Sequence, residues 1–233
     1  MASFVKESIE SSNHKCVGMY DPLGNGNYKD LKEIVNKIDG IIDFSHFSLT
    51  EEILKYAIEI NSPLVIATTG HTDEQKLKIE EASKKIAILK ATNTSLGVNI
   101  MNQIVSYATK LLADFDIELI EKHHNRKIDA PSGTAVTLLE VINESFSEKK
   151  NFVYGREGNK KREKNEIGVH AIRAGNIVGE HTVIFSSGDE IIEIKHEALS
   201  RKIFADGAVK AILSLTNKPS GLYLMKDILN INN

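Results

Sequence analysis

The spacing of apolar residues changes along this chain, and the change divides it. Short apolar runs at Cys16 to Asp21, Gly40 to Phe44, Leu64 to Thr69 and Ile86 to Lys90 read as strands. The stretches between them, Asp30 to Ile38, Thr50 to Ile60 and Thr72 to Lys85, read as amphipathic helices. In the second of these, Ile53, Ala57 and Ile60 share one face while Glu51, Glu52, Lys55 and Glu59 lie on others. Short strands alternating with helices imply right-handed βαβ crossovers and a parallel sheet.

Past Ser95 a long helix is predicted through Ile100, Ile104, Ala108, Leu111 and Leu112. Strand patterns then follow one another at Asp116 to Ile120, Gly168 to Arg173, Asn176 to Phe185 and Glu190 to His196. Ala174-Gly175 and Ser187-Gly188-Asp189 supply turns, so the strands form a sheet with antiparallel pairs. The polar and basic stretch Glu148 to Asn165 reads as a loop, and Phe204 opens another helix with Ala208, Ile212 and Leu215 on one face. The fold class predicted is α/β: a Rossmann-like doubly wound parallel sheet over 1–95, a second α+β domain carrying a mixed sheet over 96–204, and closing helices over 205–233.

Composition narrows the function. With 233 residues, 41% hydrophobic and 26% charged, the chain is an ordinary globular protein of one large or two small domains. Its net charge of -3 offers no electrostatic footprint for nucleic acid or an anionic membrane. No apolar run approaches the ~20 residues that cross a bilayer. Lys6 and Glu7 stand where a secretory signal would carry its apolar core. The single cysteine, Cys16, excludes an intrachain disulfide and cysteine-rich metal clusters, and a cytoplasmic location is expected.

In a dinucleotide-binding fold an acid at a strand end holds the adenosine ribose, roughly 20 residues after the glycine loop that cradles the pyrophosphate. Asp21 fits as that acid, which places the loop at or before the first residue and starts the chain inside the first helix. A rival register takes Gly24-Asn25-Gly26 as the loop and Asp43 as the acid, although Lys29 stands where a third glycine belongs. In the plainest reading both acids are strand-end or turn residues.

The densest chemistry lies between Glu121 and Ala135. His123, His124, Arg126, Lys122 and Lys127 make a cationic cluster after a strand, and Ser132-Gly133-Thr134 then opens the helix Ala135 to Phe146. Backbone N–H groups at a helix start bind anions, and glycine there admits a carboxylate or phosphate. Histidine beside lysine supplies proton transfer near neutral pH. A solvated charged turn and a plain Ser132 N-cap are the alternatives. No metal site is expected, because adjacent strand residues such as His123 and His124 point to opposite faces.

The run Glu121-Lys122-His123-His124 through Lys127, followed by Asp129-Ala130-Pro131-Ser132-Gly133-Thr134-Ala135, resembles the signature of 4-hydroxy-tetrahydrodipicolinate reductase, formerly dihydrodipicolinate reductase. Ile42-Asp43-Phe44-Ser45, Thr68-Thr69-Gly70, Gly97-Val98-Asn99, Arg156-Glu157-Gly158 and Val178-Gly179-Glu180-His181-Thr182 extend the resemblance over nearly the whole chain. It implies NADH- or NADPH-dependent reduction of a small cyclic dicarboxylate in diaminopimelate and lysine biosynthesis. His123 would be the proton donor or acceptor and Lys127 a proton donor, while His124, Gly133 and Thr134 would hold the substrate carboxylates. Asp21 would hold the ribose, with Ala67, Thr68, Thr69, Ala91, Thr92, Asn93 and Thr94 lining the nicotinamide side. The family is usually a homotetramer joined through the sheets of its second domain, and its last helices return to the cofactor domain.

Three departures stand out. Ala67 replaces a common glycine. Pro22 stands where some members carry an arginine for the extra phosphate of NADP, so NADH is favoured. The first strand and its glycine loop are missing from the pattern. The alternatives to a reductase are a non-catalytic binding or assembly module of the same fold, or another two-domain dehydrogenase acting on an acidic metabolite.

Overall fold

The computed structural model describes residues 1–228. In chain order its main elements are α1 (Ala2–Ser11), β1 (Ile41–Asp43), α2 (Thr50–Glu59), β2 (Leu64–Ile66), α3 (Asp73–Ser83), β3 (Ala87–Lys90), α4 (Leu96–Leu111), β4 (Asp116–His123), α5 (Gly133–Glu144), β5 (Asn151–Tyr154), β6 (Glu166–Arg173), β7 (Gly179–Ser186), β8 (Ile191–Ala198), α6 (Lys202–Leu215), β9 (Gly221–Tyr223) and α7 (Met225–Ile228). They form two units. The first joins Met1–Ser95 to the chain from Arg201 onward, and the second is Leu96–Ser200. Residues 229–233, the end of the expected closing helices, lie outside the described residues.

The first unit is built on a parallel sheet in the order β1-β2-β3-β9. Leu64, Val65 and Ile66 of β2 are all buried, as a strand covered on both faces requires. Leu64, Ile66 and Ile88 pack with Ile53, Leu54 and Ala57 of α2 and Ile79 and Ala82 of α3. On the other face Val65, Ala87 and Leu89 pack with Ala208, Ala211, Ile212 and Leu215 of α6. The period-2 alternation of the strands thus assigns each sheet face its own helices. Thr72 starts α3 with a capping box, its hydroxyl accepting from Gln75 N while the Gln75 side chain accepts from Thr72 N.

Two expected elements of this unit do not form. Cys16 to Asp21 is not a strand: apart from an isolated bridge between Tyr20 and Tyr28, it has no place in the sheet. Its peptide groups are satisfied locally, with Asn27 N and Tyr28 N donating to Met19 O and Asp21 N to Tyr28 O. The glycines of the rival loop build this turn instead of opening a helix. Gly24 has φ of +85°, and a Cβ on Gly26 would lie 2.3 Å from Met19 O. Of the predicted helix Asp30 to Ile38, a single 3₁₀ turn survives at Leu31–Glu33, capped by the Asp30 side chain. Leu31 is its one buried residue, so there is no continuous apolar stripe to hold further turns.

The second unit is a mixed sheet in the order β5-β6-β4-β7-β8. β4 runs parallel to β6 and antiparallel to β7, and β7 runs antiparallel to β8. Ile117, Leu119, Ile167, Val169, Val183 and Phe185 turn one face inward against Met101 and Val105 of α4 and Leu138, Leu139 and Ile142 of α5. Pairing on both sides carries β4 three residues beyond the predicted Ile120, to His123, which is opposite Arg173. The predicted loop Glu148 to Asn165 contains β5, an edge strand recruited by β6. Arg162 pins the rest of it, reaching Asp116, Glu118 and the Glu166 carbonyl. No helix among the described residues is long and apolar enough to cross a membrane.

Candidate active site

Alternation along β4 puts Glu121 and His123 on the same, inward side of the strand, at its carboxyl end. Glu121 is completely buried. Its carboxylate accepts from His123 Nδ1 at 2.5 Å, from Arg173 Nη1 at 2.9 Å and Nη2 at 2.7 Å, and from Ser132 N at 3.1 Å. Burial alone would raise this carboxyl, but the hydrogen bonds from His123 and Arg173 outweigh it and hold the pKa down at about 2. The site therefore contains an acid that is ionised at neutral pH, with every acceptor direction used.

On the far side of His123 lies His181 of β7, its ring edge-on with centroids 5.2 Å apart. His181 Nε2 and Ser132 Oγ share a 2.9 Å hydrogen bond, and Ser132 Oγ also accepts from Ala135 N as the N-cap of α5. Burial, reinforced by the neighbouring His123, pushes His181 down to about 3, so it is neutral at physiological pH. Glu121, His123 and His181 bring ligand-type atoms within 4.8 Å of one another. The Glu121 oxygens are already committed to Arg173, His123 and Ser132, so the chemistry of the set is that of a closed hydrogen-bond network rather than an open donor set for a cation.

Between β4 and α5 the chain carries His124, Lys127 and Asp129. Lys127 Nζ rests on Asp129 Oδ1 at 2.8 Å, and Arg173 Nη2 donates to the Asp129 carbonyl at 2.6 Å. The start of α5 then presents the peptide groups of Gly133 and Thr134 at the positive end of the helix. A Cβ on Gly133 would meet nothing within 4 Å, so the approach there is open.

In the first unit, the candidate cofactor residues gather at the carboxyl ends of three parallel strands, where such sheets bind ligands. Asp43 ends β1, Ala67-Thr68-Thr69 follow β2 and Ala91-Thr92-Asn93-Thr94 follow β3. Ala67 N donates to Asp43 O and Ala91 N to Ile66 O, so these segments continue the sheet pairing. Thr68 Oγ1 donates to Ser45 O, and Thr94 Oγ1 to Phe204 O. Asp43 is buried; its Oδ1 accepts from Ser45 N, and Oδ2 has no hydrogen-bond partner among the described residues. Asp21 lies apart from these strand ends in sequence and in the sheet. Its carboxylate closes a turn by accepting from Leu23 N and Asn25 Nδ2, which lowers its pKa.

A family model described as the N-terminus of dihydrodipicolinate reductase matches residues 1–94, and one for the C-terminus of the same enzyme matches residues 97–229. The chain belongs to the dihydrodipicolinate reductase family. Among related proteins, a 4-hydroxy-tetrahydrodipicolinate reductase of Brachyspira hyodysenteriae is 47% identical over 230 residues, spanning 98% of this chain and 95% of its own length. One from Clostridium tetani is 50% identical over 193 residues, spanning 82% of this chain and 76% of its own. A dipicolinate-bound dihydrodipicolinate reductase from Paenisporosarcina sp. TG-14 shares the fold, with a TM-score of 0.75 at 22% identity over 99% of this chain and 94% of that one.

Within this reductase chain the second unit brings together His123, His124, Lys127, Gly133 and Thr134, all on the β4 end, its connector and the first turn of α5. The first unit brings together Ala67 to Thr69 and Ala91 to Thr94 but leaves Asp21 in its turn. The local sequence pattern assigns no role to Glu121 or Arg173. The i, i+2 spacing of Glu121 and His123 was the available signal, once β4 is known to extend that far. Arg173 had none, because only the β4 to β6 register places it there.

Proposed function

We propose that this chain reduces 4-hydroxy-tetrahydrodipicolinate to tetrahydrodipicolinate in diaminopimelate and lysine biosynthesis. The observation that carries the reading is the placement of His123 at the end of β4 and Lys127 on the connector that leads directly into the open, positive start of α5, proton-handling side chains next to a carboxylate site in the chain. His124, Gly133 and Thr134 hold the substrate carboxylates. His123, fixed at the end of β4, and Lys127 on the following connector handle the proton. The product lacks the 4-hydroxyl, so one hydride, one proton and the departure of water balance the reaction.

NADH or NADPH supplies the hydride when bound. The residues of the first unit fit its nicotinamide half: the side chains at the ends of β2 and β3 are short, and Asp43 has a buried oxygen there with no hydrogen-bond partner among the described residues. Asp21 takes the adenosine ribose, and Pro22 beside it offers no guanidinium for an additional phosphate, so NADH is preferred. The molecule works in the cytoplasm as a homotetramer. Support for the assembly is the sheet face of the second unit opposite α4 and α5, where Ile172 and Ile191 are 42% and 65% exposed.

The test is oxidation of NADH and NADPH by the purified chain on adding the cyclic substrate, with sedimentation to give the assembly state. Oxidation dependent on that substrate is expected, with the larger kcat/KM for NADH. Saturable NADH binding without turnover would instead favour the binding-module reading, for which neither relatives nor geometry offers an argument.

A further inference from the structure

We propose that Glu121 and Arg173 are positioning residues that decide which nitrogen of His123 carries the exchangeable proton and hold Lys127 in register with it. This rests on the reading of His123 as the proton donor or acceptor.

Glu121 is wholly buried, and a buried carboxylate is tolerated only when its oxygens are filled. Arg173 fills them in a two-pronged pair, Nη1 to Oε2 and Nη2 to Oε1, and Ser132 N adds a third donor. An ionised carboxylate can only accept, so the 2.5 Å contact between Oε2 and His123 Nδ1 places a hydrogen on Nδ1. Nε2 is then the atom left to give or take a proton. It points toward Gly179, where a Cβ would sit 3.1 Å away, so the glycine leaves that edge uncrowded.

The same guanidinium reaches the connector. Arg173 Nη2 donates to the carbonyl of Asp129, whose carboxylate holds Lys127 Nζ. One half-buried arginine thereby ties the two proton-handling groups, one on β4 and one on the connector, to a single anchor. The charged and titratable groups around His123 are Glu121 on its own strand, Arg173 opposite it at the end of β6, and His181 on β7. Glu121 is the one bonded to the ring.

The proton position is read directly by nitrogen NMR of the full chain carrying labelled histidine, with His123 assigned from His123→Gln. The wild-type neutral ring is expected to carry its hydrogen on Nδ1. In Glu121→Gln the amide can donate to Nδ1, and the hydrogen moves to Nε2. Turnover in that variant is expected to fall ~10²-fold while KM for the dicarboxylate and for NADH changes less than ~3-fold. Glu121→Asp, which keeps the charge, restores most of the Nδ1 signal. Arg173→Lys, a milder change that cannot span both oxygens and the Asp129 carbonyl, loses turnover ~10-fold without a matching rise in KM.

A wild-type ring protonated on Nε2 overturns the proposal, even if no Glu121 variant folds. So does Glu121→Gln with wild-type kcat, or a loss that appears in KM rather than kcat. Absence of reductase activity in the wild type would sink the reading of the reaction and leave the tautomer measurement to stand by itself.

Discussion

The hydroxyl of Ser132 lies 2.9 Å from Nε2 of His181, joining the first turn of α5 to the middle of the second unit's sheet. Both side chains are buried, and the serine is at the same time the helix cap. A charged imidazole in that place would have to be stripped of water beside His123, which is why His181 is held neutral.

A stability dependence on pH follows. The pKa of His181 falls from 6.5 to about 3 on folding, so below about pH 6.5 the unfolded chain takes up a proton that the folded chain refuses. The stability is fully present above 6.5 and is lost as pH drops toward 3. Glu121 acts in the same direction, but only as pH falls below 4.5 toward 2. Between neutrality and about pH 5, denaturant unfolding should show about 2 kcal/mol more loss in the wild type than in His181→Gln, while His71 and His196, also held below their ordinary pKa by burial, contribute to both. Equal slopes for the two proteins would exclude this assignment.

Proton transfer by His123 and Lys127 predicts a particular kinetic pattern. His123→Ala and Lys127→Ala should each lower kcat by ~10² to 10⁴-fold while leaving the dissociation constant for NADH within ~3-fold. Unchanged turnover in both variants would remove them from the chemistry.

Gly207 on α6 faces the turn after β3. A Cβ there would lie 1.8 Å from the backbone oxygen of Thr94, and Thr94 Oγ1 is already bonded to Phe204 O. Gly207→Ala must therefore move the Ala91 to Thr94 segment. The expected cost is about 1–3 kcal/mol, with a weaker affinity for NADH by titration. Gly188→Ala, where a Cβ meets nothing within 4 Å, should change neither and serves as the control.

Cofactor choice is tested by Pro22→Arg. A guanidinium next to Asp21 adds a charge-assisted hydrogen bond to a ribose phosphate, and the ratio of kcat/KM for NADPH over NADH should rise ~10-fold. A ratio that stays put would move the ribose site away from Asp21.

Phe185 is fully buried among Ile117, Leu119, Val169 and Leu138 in the second unit. Phe185→Ala should cost about 3–5 kcal/mol in denaturant unfolding. A value below 1 kcal/mol would mean that this sheet face is not the core of the unit.

By itself the sequence determined whatever depends on neighbours a few residues away. The all-apolar β2, the periodic faces of α2 and α6 and the Ser132-Gly133-Thr134 helix start were all legible, because period and cap chemistry are local. The cluster from His123 to Thr134 could be named for the same reason: a strand end, a connector and a helix start lie within a dozen residues. What the tertiary structure decided were the long-range pairings. Cys16 to Asp21 has strand-like residues but is satisfied by its own turn, and Asn151–Tyr154, four residues inside a polar and basic stretch, pairs with β6. Above all, register against β6 and β7 carried β4 on to His123 and brought Arg173 and His181 to a buried Glu121. Those residues are about 50 apart in the chain, and no local pattern encodes which of them will share a hydrogen bond.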